Sequence, residues 1–165
     1  MSASAGAANV SGLKDAAVRS KSITADAAGV RTADLTVAYT VLRMSLGMNI
    51  ALHGVSRLYA GHAAFMAYLN HYFEHAFAIP KSMLPIFGYT LPPVETTLGF
   101  LLVFGLFTRF TLIAGSLAML CLVIGTNLAQ DWVVSGLQLI YCFLYYYLLA
   151  HRDQNVYSVD ALWQR

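Results

Sequence analysis

Glu95 lies near the start of an apolar run, Val94 to Phe107, with no other charge before Arg109. A lone carboxylate in hydrocarbon costs about 2.5–3.5 kcal/mol on insertion scales, so it needs a partner. An earlier apolar run carries two: His53 and Arg57. On a helix turning about 100° per residue, Arg43, Gly47, Ile50, Gly54 and Arg57 share one narrow face, with His53 beside Arg57. A face of polar and small residues packs inward in a membrane bundle. The next span runs the other way, which puts Glu95 in the same outer half as His53 and Arg57. Gln138, with Tyr141 and Tyr145 below it on one stripe, faces the same level, as do Asn127 and Gln130.

Glu, His, Arg and Tyr between apolar helices suit a quinone. Its carbonyl oxygens need hydrogen-bond donors, its reduction needs a group that moves protons, and its tail needs an apolar cleft. His53, Arg57 and Glu95 are the expected catalytic residues. The same three, with Gln138 and Tyr141, are the expected quinone-binding set. The competing reading is structural: a buried Glu–Arg–His cluster that pins helix register.

The elements that must position these groups follow from composition. Of 165 residues, 58% are hydrophobic and 11% charged, with a mean hydropathy of +0.60. A soluble domain carries about 25% charged residues. Four apolar spans are predicted, at 35–60, 86–107, 110–128 and 133–150, each near the ~20 residues that cross a bilayer. Backbone groups in lipid must pair within their own segment, so the spans are helices. The expected fold is an all-α, four-transmembrane-helix bundle. The second span is entered through Pro92-Pro93. Phe65, Leu69, Tyr72, Phe73 and Ala76 recur at helical spacing, which predicts an amphipathic outer helix between spans one and two, ended by Pro80 and Pro85.

Residues 1–34 read as a flexible or weakly helical tail, and residues 35–165 as the membrane domain. The tail lacks the apolar stretch of a cleavable signal. Lys14, Arg19, Lys21 and Arg31 precede span one, Arg109 sits between spans two and three, and Arg152 and Arg165 follow span four. The positive-inside rule therefore puts both termini in the cytoplasm. Arg43 is expected to snorkel on that side.

Other signals are weaker. Cys121 and Cys142 lie in different apolar runs and read as small core residues, with no CxxC pair. His71, Glu74 and His75 form an HxxEH string without a third ligand, so an interfacial polar face is expected and no metal. Only His53 lies within a span, which argues against haem. Gly47, Gly54, Gly99 and Gly105 read as close-packing points. No phosphate-binding loop, serine nucleophile motif or nucleic-acid patch is present.

Three pieces carry a family resemblance. They are Leu42-Arg43 with His53-Gly54 and Arg57; Glu95-Thr96-Thr97-Leu98-Gly99 with Gly105-Leu106-Phe107-Thr108-Arg109; and Tyr157-Ser158-Val159-Asp160-Ala161-Leu162. In this order they resemble the DoxX/DoxD family of small four-helix bacterial and archaeal membrane proteins. The resemblance implies a cytoplasmic (inner) membrane location. The DoxD branch looks like the membrane subunit of a thiosulfate:quinone oxidoreductase. Arg43, His53, Arg57, Glu95 and Arg109 are the positions carried over. The chain lacks a large outer domain for thiosulfate chemistry, which implies partner subunits. The alternative is a non-catalytic accessory subunit of a respiratory or photosynthetic complex. Solute transport fits less well, because four short spans leave little room for a pathway. The last piece reads as a cap after span four, with Asp160 pairing to Arg109 or Arg152.

Overall fold

The computed structural model describes residues 3–76 and 79–163. It is all-α among the described residues. Four helices are long and apolar enough to cross a membrane: α1 (Ala3–Ala60), α3 (Met83–Phe104), α4 (Thr108–Leu128) and α5 (Trp132–Ala150). A shorter α2 (His62–Tyr72) links the first two, and a 3-10 turn at Arg152–Gln154 leads to a short α6 (Val159–Trp163). The protein is a multi-pass membrane bundle. The chain divides into two units, Met1–Val37 and Ala38–Arg165, and the second holds the bundle core. In the first unit, residues 3–34 belong to α1.

Two element boundaries differ from expectation. The outer helix stops at Tyr72, several residues before Pro80. The next helix starts at Met83 rather than near Ile86, takes in Pro85, and carries Pro92 and Pro93 within it rather than at its entrance. Each proline removes one backbone donor. Pro92 and Pro93 leave the carbonyls of Gly88 and Tyr89 without their helical donor; the Thr90 and Thr96 hydroxyls donate to Ile86 O (2.7 Å) and Pro92 O (2.8 Å) on either side of that gap. Glu95 consequently sits at the middle of α3, roughly 18 Å along it from Met83 at 1.5 Å per residue.

Small residues set the spacing of α1 and α3. A Cβ on Gly47 would lie 2.8 Å from Gly99 O, and one on Gly54 would strike Thr96 and Pro92. Against this seam the core gathers Tyr39, Leu46, Ile50, Leu102, Leu112, Met119, Tyr145 and Leu148. A second cluster holds α2 down through Phe65, Leu69 and Leu91. At its far end the Tyr72 hydroxyl donates to Asp131 Oδ2 (2.7 Å), and Asp131 Oδ1 caps α5 by accepting from Val134 N (3.0 Å). The two amide and hydroxyl donors hold the Asp131 carboxyl below the usual carboxylate range, the Val134 N–H contributing most. Burial, and then the bond to Asp131, push the Tyr72 phenol well above its ordinary value.

The cysteines are free: Cys142 is half-buried and packs against the core, as expected, whereas Cys121 is exposed on the bundle surface. His71 and Glu74 pair at 3.6 Å on the exposed face of the α2 end, and no metal-ligand cluster occurs among the described residues.

Candidate functional site

Arg57 and Glu95 form an ion pair that joins α1 to α3. The Arg57 side chain is 27% exposed and that of Glu95 10%. The small-residue seam makes this pairing possible. With Gly54 against Pro92 and Thr96, Arg57 leaves α1 one turn beyond Gly54, and its long side chain meets the carboxylate on α3. Its guanidinium also lies 5.1 Å from the centre of the Phe65 ring, a cation–π contact that ties α2 to the pair.

The pair lines a cavity of about 260 Å³ among α1, α3, α4 and α5. All five expected site residues line it: His53, Arg57, Glu95, Gln138 and Tyr141. The His53 Nδ1 lies 2.8 Å from Asn49 O, which leaves Nε2 for another partner. Gln138 Oε1 accepts from the Thr126 hydroxyl (2.8 Å), which leaves its amide N–H groups for the cavity. Tyr141 donates to Asn49 Oδ1 (3.2 Å). Below them, Tyr145 is buried against Gly115, where any Cβ would strike its ring. Ile50, Leu98, Met119, Leu122 and Leu137 supply apolar walls.

Asn127 and Gln130 are not at this site. Asn127 Nδ2 donates to Val123 O (2.7 Å) and Ser135 Oγ (2.9 Å), joining α4 to α5. Gln130 sits in the turn between them at φ 57°. Asn49 and Thr126 are members that the sequence reading missed. Their one available signal is placement: Asn49 stands a helical turn before His53, and Thr126 faces Gln138 across the α4–α5 hairpin.

The other family positions organise the opposite end of the bundle. Arg43 does not snorkel; its side chain is 1% exposed. It donates to Leu102 O, to Val103 O (3.1 Å) and to Tyr157 O (2.8 Å), so it satisfies the carbonyls that end α3. That helix closes at Gly105, φ 66°, with Leu106 N bonded to Leu101 O (2.9 Å). Asp160 does not pair with Arg109 or Arg152. Its carboxylate accepts from Phe107 N and Thr108 N (2.7 Å each) and so caps α4. A carboxylate at a helix N-terminus meets free N–H groups and the positive end of the dipole, which compete well against an exposed arginine. Arg109 is exposed and does not line the cavity. Arg43 and Asp160 are thus structural, locking the C-terminal segment onto the α3–α4 turn.

No curated protein and no solved structure matches the chain. Residues 38–130 match the DoxX family. The matched stretch begins where the second unit begins and holds Arg43, His53, Arg57, Glu95 and Arg109; α5, with Gln138 and Tyr141, lies beyond it. Over more than half of its length, and with the resembling motifs at the ion pair and at the α3–α4 turn, the chain belongs to the DoxX family.

Proposed function

We propose that this protein is the membrane subunit of an oxidoreductase complex and takes up a quinone headgroup in the cavity around Arg57 and Glu95. The observation that carries this reading is an ion pair on the wall of an apolar cavity that also presents His53, Gln138 and Tyr141. Bare structural pinning of two helices requires no such cavity. About 260 Å³ falls just below the usual size of ligand pockets, which run roughly 300–1,000 Å³. It suits one ring and leaves an attached tail to lie between α1 and α5, where Asn49, His53 and Leu137 are exposed.

In this reading Arg57 and the Gln138 amide donate to the two carbonyl oxygens. His53 Nε2 and Glu95 carry protons to them. Reduction of a quinone to the quinol takes two electrons and two protons. The electrons come from a partner subunit, because no redox group belongs to these residues. Arg57 keeps Glu95 paired between turnovers, so the carboxylate is retained at a depth that would otherwise expel its charge.

A second reading has its own observation. Arg57 touches α1, α2 and α3 elements at once through Glu95 and Phe65, which is what a register pin in an accessory subunit requires. Glu95→Gln separates the two. The complex is purified with each variant, and decylubiquinone reduction is measured per mole of assembled subunit. A loss of tenfold or more with normal assembly supports the quinone site. Turnover that stays constant per assembled subunit, with less of it assembled, supports the pin.

A further inference from the structure

Arg109 stands in the first turn of α4, and Arg152 opens the turn that follows α5. A cation in a helix's first turn is opposed by the helix dipole, so helix stability does not account for Arg109. Both side chains are exposed. Among the described residues the salt bridges are Arg57–Glu95 and His71–Glu74, and neither arginine takes part. The nearby carboxylates are engaged elsewhere: Asp160 spends both oxygens on the α4 amides, and Asp153 accepts from Gln154 Nε2 (2.7 Å).

The two arginines line one open cleft of about 990 Å³. Its walls change character along the bundle. Ile113 lies one turn into α4 from Arg109 on the same face, and Leu149 lies in the last turn of α5 before Arg152; both line the cleft. The cleft is therefore charged at its end, where Arg109 and Arg152 stand with Asp153 and Asp160, and apolar toward the middle of the bundle. Phe110, Tyr146 and Trp163 are exposed at the same end, as aromatic side chains are where helices leave the hydrocarbon. Asn155 is fixed in the cleft wall by its bond to the Thr108 hydroxyl (3.0 Å).

We infer that this cleft binds an anionic phospholipid, with the phosphodiester between Arg109 and Arg152 and an acyl chain along Ile113 and Leu149. Guanidinium groups hold phosphate oxygens through paired, charge-assisted hydrogen bonds. Basic pockets between transmembrane helices at the headgroup level are suited to such lipids. Asp160 is already compensated by the α4 amides, so the two guanidinium groups face one further carboxylate, Asp153, and this modest charge suits a singly charged phosphodiester better than a free phosphate dianion. The apolar half of the cleft favours a lipid for the same reason. This inference does not depend on the quinone reading, since the two sites share no residue.

The test uses the full chain, delipidated in a neutral detergent. Phosphatidylglycerol, phosphatidylcholine and inorganic phosphate are each added, and retained ligand is read by native mass spectrometry alongside the thermal midpoint. Phosphatidylglycerol is expected to bind and raise the midpoint, and the other two are not. The Arg109→Gln/Arg152→Gln variant should bind it roughly tenfold more weakly or worse, as expected for loss of charge-assisted bonds. Should that variant fail to fold, Arg109→Lys/Arg152→Lys keeps the charges and should still lose several-fold through the missing paired geometry. Equal binding of phosphatidylcholine, an equal response to inorganic phosphate, or undiminished phosphatidylglycerol binding by the folded variants overturns the inference.

Discussion

Tyr141 donates a 3.2 Å hydrogen bond to Asn49 where the central cavity meets the outer face of α1. Asn49 is exposed, and it lines both the cavity and a shallow outer groove with Met44, Met48 and Leu52. The bond joins α5 to α1 at the boundary between protein interior and lipid. A ligand dissolved in the bilayer that enters there has to pass it.

Removing that bond should ease entry. A neutral hydrogen bond is worth about 1 kcal/mol, or about fivefold in an opening equilibrium. Ala118 lines the cavity and offers a reporter position. In a Cys121→Ala/Cys142→Ala background, alkylation of Ala118→Cys by a long-chain maleimide in the membrane should speed up about that much with Tyr141→Phe. A Leu120→Cys reporter on the exposed face should not change. An unaltered Ala118→Cys rate would show that the bond does not control access.

The Arg57–Glu95 pair should show the asymmetry of buried charges. Arg57→Leu or Glu95→Leu alone leaves one charge unpaired at membrane depth, at a cost of roughly 2.5–3.5 kcal/mol. Replacing both removes the charge as well as the pair, and should recover most of that stability. Unfolding titrations in mixed detergent micelles measure all three variants. If the double variant is as unstable as the sum of the singles, the two groups do not act as a pair.

Close packing of α1 on α3 makes a graded prediction for glycine. Gly47→Ala puts a methyl 2.8 Å from Gly99 O, where backbone rather than a flexible side chain would have to move. Overpacking of this kind costs about 1–3 kcal/mol. It should also weaken the Arg57–Glu95 pairing, which depends on the same seam. Gly136→Ala in α5 meets nothing within 4 Å and should be neutral or slightly stabilising. Thermal midpoints that fell equally in the two variants would refute the assignment of the seam.

Acid should first loosen the end of the bundle where α2 meets α5. The Asp131 carboxyl is held below its unfolded value by Val134 N–H and Tyr72, so its contribution is complete above about pH 4. It is lost as pH falls through the lowered native value. Hydrogen exchange at the amides of α2 and the first turn of α5 should rise in that window. Tyr72→Phe should shift the window upward, and Asp131→Asn should abolish it. Exchange that is flat between pH 5 and the acid limit would contradict this.

Much of this protein is legible in the residues alone. Four apolar runs of bilayer length leave a chain little choice but transmembrane helices, because lipid offers no partner for a free backbone group. A carboxylate within such a run must find a cation, and span one offers Arg57 on a face with Gly47 and Gly54. Local rules of this kind do not locate helix ends. Pro92-Pro93 reads as an entrance and lies inside α3, where close packing against α1 at Gly54 outweighs two missing donors. Nor do they choose among acceptors. Arg43 found the carbonyls that end α3, and Asp160 found the amides that begin α4. Those groups become available only when segments distant in sequence are folded together. The type of each element and the need for a buried pair were set by composition and period. Which polar groups meet was decided by tertiary structure, since unsatisfied donors and acceptors at helix ends have no address in the sequence.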